Sequence, residues 1–178
     1  MLYLLEYGVK ECLHFMLGGK LNMEHMTQHS SQFYEAINAR CCCFNMRKVM
    51  RAVTQFFDRH LEPANIRSTQ FTLLVALSSM NAKTLTEIAE NLVMDRTTLT
   101  RNLKPLEKLE LITTVQPLDK RSKAYILTDK GKELVIKAVP LWEEAQKSIV
   151  NTLGIEKYNH IIVELGHVLA ATELGFKK

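Results

Sequence analysis

Between Asp95 and Lys104 the chain reads DRTTLTRNLK, and two kinds of residue alternate there at helical spacing. Leu99, Leu103 and Leu106 fall on one helical face, which leaves Arg96, Thr97, Thr98, Thr100, Arg101 and Lys104 on the other. Short hydroxyls and guanidinium groups on the open side of a helix suit the edges of bases. A threonine reaches a base or a phosphate without bulk, and an arginine can bind guanine through two parallel hydrogen bonds. About 20 residues later comes the polar, basic run Asp119-Lys120-Arg121-Ser122-Lys123. Together these residues point to contact with a polyanion in a groove. Lys104 and Lys123 read as phosphate contacts, which place a protein without reading sequence.

Two further sets could carry chemistry. Cys41, Cys42 and Cys43 are consecutive, with Arg40 and Arg47 as cationic neighbours and Tyr34 a few turns away. They read as a redox sensor, or Cys41 and Cys42 are small buried apolar residues, which free cysteine often is. If 30–61 is one helix, they lie beyond the first turn, where a helix dipole acts. His160 and His167, seven apart, share a face of the last helix, but no cysteine or acidic cluster joins them, so no metal site is expected. Neither a phosphate-cradling glycine loop nor a nucleophile–base signature occurs. No cofactor and no catalysis are expected.

The elements that must hold the DNA-facing residues follow from pattern. Thr84 and Glu87 form a capping box ahead of a helix whose apolar face is Leu85, Ile88, Ala89 and Leu92. Asp95 caps the next helix. Residues 111–115 and 123–127 are strand-like and flank the polar loop. Helix, turn, helix and basic hairpin make a winged helix-turn-helix. Upstream, 30–61 has continuous helical periodicity, with a connection at Glu62-Pro63-Ala64-Asn65 and a helix over 70–79 opened by Ser68 or Thr69. The loop 80–83 precedes Thr84. Downstream, Thr128 caps a long helix to about Leu153, bent at Pro140, and a final helix runs from about Glu156 to Leu174.

Four segments result. Residues 1–29 are an N-terminal extension, of which 1–22 read as an over-extended gene start with Met23 or Met26 as the first residue. Residues 30–62 are a dimerisation helix, 63–128 the DNA-binding winged helix, and 129–178 C-terminal dimerisation helices. The fold class is mainly α, with a small β component. The terminal helices are too apolar to stand alone, and a two-fold dimer would cover them while presenting two readers to a pseudo-palindromic double-stranded site. The 178 residues carry a net charge of +4, mildly basic, and 47% of them are hydrophobic. No apolar run reaches the roughly 20 residues of a bilayer span, and adjacent cysteines cannot staple distant segments. A cytoplasmic protein without membrane contact is expected.

The order of elements from Tyr34 to Leu174 resembles the MarR family of bacterial transcription regulators. The resemblance rests on LTEIAENLVMDRTTLTRNLKPLEKLELI, on Asp119-Lys120-Arg121-Ser122, and on Leu127-Thr128-Asp129-Lys130-Gly131. It implies that Asp119 pairs with Arg121 to hold the wing and that Arg121 reaches the minor groove, whose negative potential favours arginine. It implies a repressor released by an oxidant, acting through a cysteine, or by a small aromatic or phenolic effector near Phe56, Phe57, Phe71, Trp142 and Tyr158. Two positions depart from the pattern. Glu110 stands in place of a glycine after the second helix, so that the turn there could differ, and Thr114 replaces a basic residue. The alternative reading is a winged helix that docks on protein without reading DNA.

Overall fold

The structure, a computed structural model, describes residues 31–79, 83–116 and 123–175. Its contacts divide the chain into two compact units, one ending at Val53 and one beginning at Thr54. The proposed early start and the wing tip 117–122 lie outside the described residues.

The single helix expected over 30–61 is two, the second continuing past Val53 into the second unit. Helix α1 spans Ser31–Arg40 and α2 spans Cys42–Leu61, with Cys41 between them. No glycine or proline marks the break; an asparagine does. The Asn45 side-chain amide donates to the carbonyl oxygens of Asn38, Ala39 and Cys41 at 3.1, 3.3 and 3.0 Å. A side-chain amide that competes for backbone carbonyls is the reason asparagine is a poor helix-interior residue. Beside it the Phe44 N–H donates to Cys41 Sγ at 3.4 Å, as to a capping atom.

In the second unit α2 ends at Leu61 and a short 3₁₀ turn, Glu62–Ala64, leads to α3, Ser68–Ser78. Neither Ser68 nor Thr69 caps α3 by itself. Asp58, ten residues upstream, accepts from both the Ser68 N–H and the Ser68 hydroxyl at 2.7 Å, and Arg67 Nη1 lies 3.3 Å from its other oxygen. Burial pushes the Asp58 carboxyl up, but the Ser68 and Arg67 hydrogen bonds outweigh it and hold the group below the usual carboxylate range. A two-residue strand, β1 (Lys83–Thr84), follows where a loop was expected. Then come α4 (Leu85–Asn91), α5 (Arg96–Lys108), β2 (Ile112–Val115) and β3 (Ala124–Leu127). The sheet order is β1-β3-β2, all antiparallel, with Thr84 opposite Ala124 and Thr113 opposite Ile126. Helix α6 runs from Asp129 to Leu153, unbroken through Pro140, and α7 from Ile155 to Gly175. Gln146 donates to the Tyr158 hydroxyl between them.

Leu61, Leu74, Ile88, Leu99, Leu103 and Leu106 are withdrawn from water almost completely. Each contributes about 1.5–3 kcal/mol by burial, against roughly 1 kcal/mol for a good helix cap. The core therefore decides where the helices lie, and the caps decide where they begin.

Val93, in the turn between α4 and α5, has φ 52°. The left-handed region costs a β-branched residue about 1–2 kcal/mol, and Val93 is 61% exposed, so little burial offsets it. Val93→Gly should raise unfolding stability by about 0.5–1 kcal/mol even after glycine's greater unfolded-state entropy; the urea midpoint is the measurement.

Candidate nucleic-acid interface

Helix α4 begins as its sequence demands. The Glu87 carboxylate accepts from the Thr84 N–H at 2.8 Å and from Lys83 Nζ at 2.9 Å, while the Thr84 hydroxyl oxygen accepts from the Glu87 N–H at 3.3 Å. Asp95 opens α5 by accepting from the Thr98 N–H at 2.8 Å. The Thr98 side chain, and after it this backbone hydrogen bond, hold the Asp95 carboxyl below its ordinary range. A fixed carboxylate there sets the first turn of α5, whose leading residues are the ones that would enter a groove.

Leu99, Leu103 and Leu106 anchor α5 in the core, so its opposite side must face water. Arg96, Thr97, Thr98, Arg101 and Lys104 are exposed there, and Thr100 is half-buried. Thr100 Oγ1 donates to the Arg96 carbonyl at 2.7 Å, so its hydrogen is engaged within the helix. Among the described residues Arg96, Arg101, Lys104 and Lys123 make no ion pair, and all four are exposed. Their charges are directed at solvent rather than spent on neighbouring carboxylates. Lys123 stands at the foot of β3, so one of the wing cations is placed beside the sheet. Asp119, Lys120 and Arg121 lie outside the described residues.

Glu110 does not alter the turn that ends α5. It adopts φ 59°, a conformation glycine takes freely, and the Leu111 N–H reaches back to the Leu106 carbonyl at 3.0 Å.

The remaining candidates are placed as follows. Because α2 begins at Cys42, Cys42 and Cys43 occupy its first turn, contrary to the expectation that they lie further in. Cys42 and Cys43 are exposed and Cys41 is half-buried in the single chain. Four of the five aromatic residues pack in pairs. Phe71 is in the core against Trp142, with ring centroids 6.5 Å apart, and Phe56 packs edge-on against Phe57 at 5.8 Å. A cavity of about 550 Å³ lies among Gln55, Asp58, Arg59, Asn65, Arg67 and Gln70, which no sequence pattern singled out. His167 Nδ1 lies 3.5 Å from Glu164. No helix among the described residues is long and apolar enough to cross a membrane.

The sequence model of the MarR family matches residues 66–123, a range that contains α3, β1, α4, α5 and β2 and ends just before β3. The chain is 33% identical over 100 residues to the organic hydroperoxide resistance transcriptional regulator of Bacillus subtilis, covering 56% of this chain and 68% of that protein. The fold matches the M. tuberculosis transcriptional regulator MosR in complex with DNA, with a TM-score of 0.65 and 34% identity over 74% of this chain and 98% of that one. The chain belongs to the MarR family of transcriptional regulators. A second B. subtilis relative, the HTH-type transcriptional regulator YwoH, is 31% identical over 98 residues, 53% of this chain and 72% of its own length. As a MarR-family member the protein is a DNA-binding transcriptional regulator.

The helix-turn-helix carries its own pH dependence. Hydrogen bonds from Lys83 and Thr84 bring the Glu87 carboxyl down to about 2, from 4.5. The unfolded chain therefore takes up this proton before the folded one does. The stabilisation is complete above about pH 4.5 and is lost as the pH falls toward about 2. Glu87→Gln should flatten the fall of Tm with pH across that window, as followed by circular dichroism.

Proposed function

We propose that this MarR-family regulator represses by occupying a pseudo-palindromic operator as a homodimer. In this reading Arg96, Thr97, Thr98, Thr100 and Arg101 face base edges, Lys104, Lys120 and Lys123 face phosphates, and Arg121, held by Asp119, enters the minor groove. The observation that carries the proposal is the exposed face of α5, whose cations have no acidic partner while its leucines are fully buried. Dimerisation is supported by apolar residues left in water. On α7, Ile155, Ile162 and Val163 are 58%, 49% and 54% exposed, and on α2, Val49 and Met50 are 57% and 65% exposed. A second copy would cover such faces in a symmetric interface.

Release is proposed to follow oxidation of Cys41, Cys42 or Cys43. The kinship with a hydroperoxide resistance regulator supports this, as does the position of the three residues at the start of α2. A small aromatic or phenolic effector is the second route. A cytoplasmic location accords with free thiols.

Selection from random duplexes, repeated with an organic hydroperoxide and with a phenolic acid, tests the whole reading. An enriched palindrome lost on peroxide treatment and regained with dithiothreitol is expected. Enrichment of no sequence, with binding insensitive to salt, would instead favour a protein-docking winged helix. On the enriched duplex, Arg101→Ala should cost about 1–3 kcal/mol and relax the preference at particular bases. Lys123→Ala should weaken all sequences alike and reduce the salt slope by about 1; fluorescence anisotropy across a salt series reads both. Wild-type behaviour of Arg121→Ala would remove the wing from the interface. A Cys41→Ser protein with Cys42 and Cys43 also replaced by serine should bind DNA in peroxide as the untreated wild type does.

A further inference from the structure

The run Leu127-Thr128-Asp129-Lys130-Gly131 belongs to no DNA-facing surface, yet it is hydrogen-bonded to Glu110 and Leu111, the residues that follow α5. Thr128 makes three hydrogen bonds at this point. Its N–H donates to the Leu111 carbonyl at 3.1 Å, and its hydroxyl donates to the Glu110 carbonyl at 2.7 Å. The same oxygen accepts the Gly131 N–H at 3.1 Å and so caps α6. Gly131 is buried, and a Cβ on it would run into the Leu111 carbonyl and the Leu127 side chain. The left-handed conformation of Glu110 turns its carbonyl out of the α5 ladder, and Lys130 Nζ stands 3.6 Å from the Glu110 carboxylate. The first turn of α6 is thus pressed on the backbone of the turn that ends α5, at Glu110 and Leu111.

We infer that Thr128, Gly131, Glu110 and Leu111 form a rigid joint that sets the angle of the reading helix α5 against the long helix α6. The inference rests on the proposal that α5 reads DNA in a dimer. Thr128 and Gly131 are positioning residues; they touch no DNA. Contacts made only through flexible side chains would let α5 drift against α6. Two shared backbone carbonyls and a contact with no room for a methyl group do not. The start of α6 is therefore tied to α5 through the Glu110–Leu111 turn, which the Glu107 and Leu106 carbonyls hold to the helix, and in a dimer this joint would fix how each reader is set on its α6. Helix α6 also packs through Ala138, which is fully buried, so the joint is the near end of a continuous seam along the core.

The test compares Thr128→Val, which keeps the shape and removes the hydroxyl, with Thr128→Ser, which keeps the hydroxyl. Each protein is titrated, well below its Tm, with the duplex recovered by selection, with versions carrying one base pair added or removed between half-sites, and with a scrambled duplex. Thr128→Val should lose about tenfold in affinity for the selected duplex and discriminate less between spacings. Its affinity for scrambled DNA should be unchanged, and Thr128→Ser should restore the wild-type pattern. A Thr128→Val protein with lower Tm but unaltered spacing discrimination would reduce Thr128 to a helix cap and overturn the joint. Hydrogen exchange on the wild-type protein answers the same question should the valine variant not fold. The amides of Leu111, Thr128 and Gly131 should open together with equal protection, and markedly faster exchange at Leu111 would overturn the joint. A wild-type protein that prefers no duplex would sink the DNA reading itself, whereas failure of the spacing arm alone sinks only the joint.

Discussion

Three leucines settle the orientation of α5. Leu99, Leu103 and Leu106 are at most 1% exposed, and all lie on one side of α5. Rolling the helix by one residue, 100°, would drive Lys104 and Glu107 toward that core, where an unpaired charge is costly. The exposed face is therefore a consequence of the buried one. What the winged helix offers to DNA is whatever side chains remain once apolar burial has been satisfied. Around this constraint the smaller devices act locally. Asp95 places the first turn of α5, Thr84 and Glu87 place α4, and the sheet supports the wing.

What could be read in the amino-acid order is what depends on near neighbours. The capping box at Thr84 and Glu87, the cap at Asp95 and the apolar face of α5 each span only a few residues, and all are present in the structure. The misses share a cause. Asp58 caps α3 from ten residues away, an arrangement that exists only after the chain has turned at Asn65. Strand β1 is two residues long, too short for any alternation to register, and is defined by its pairing with β3. The break at Cys41 lies inside a run with uninterrupted helical periodicity. Only Asn45, hydrogen-bonded to three carbonyls on the preceding turns, discloses it. That one side chain moves three cysteines from the interior of a helix to the beginning of another.

The departures from the family pattern divide differently. At Glu110 the backbone keeps a conformation suited to glycine although the residue has changed. The surrounding hydrogen bonds, from Glu110 N–H to Glu107 and from Leu111 N–H to Leu106, hold it there. Tertiary contact overrides local preference at this position, and Val93 shows that a β-branched residue can be held in the same region. Such positions carry strain that an idealised sequence would omit. Here they flank the reading helix at both ends, so α5 is entered and left through backbone that few side chains favour.

The hydroxyl of Thr100 already gives its hydrogen to the Arg96 carbonyl. What remains for an outside partner is a lone pair and a methyl group. Any base edge that meets Thr100 polar-to-polar must bring its own hydrogen, as the exocyclic amines of adenine and cytosine do, while the bare carbonyl oxygens of guanine and thymine find nothing to accept. Thymine can still offer its methyl group to the methyl of Thr100. A residue that counts as both donor and acceptor in a composition table thus acts with one polarity only. The helix's own backbone has made that choice before any nucleic acid arrives.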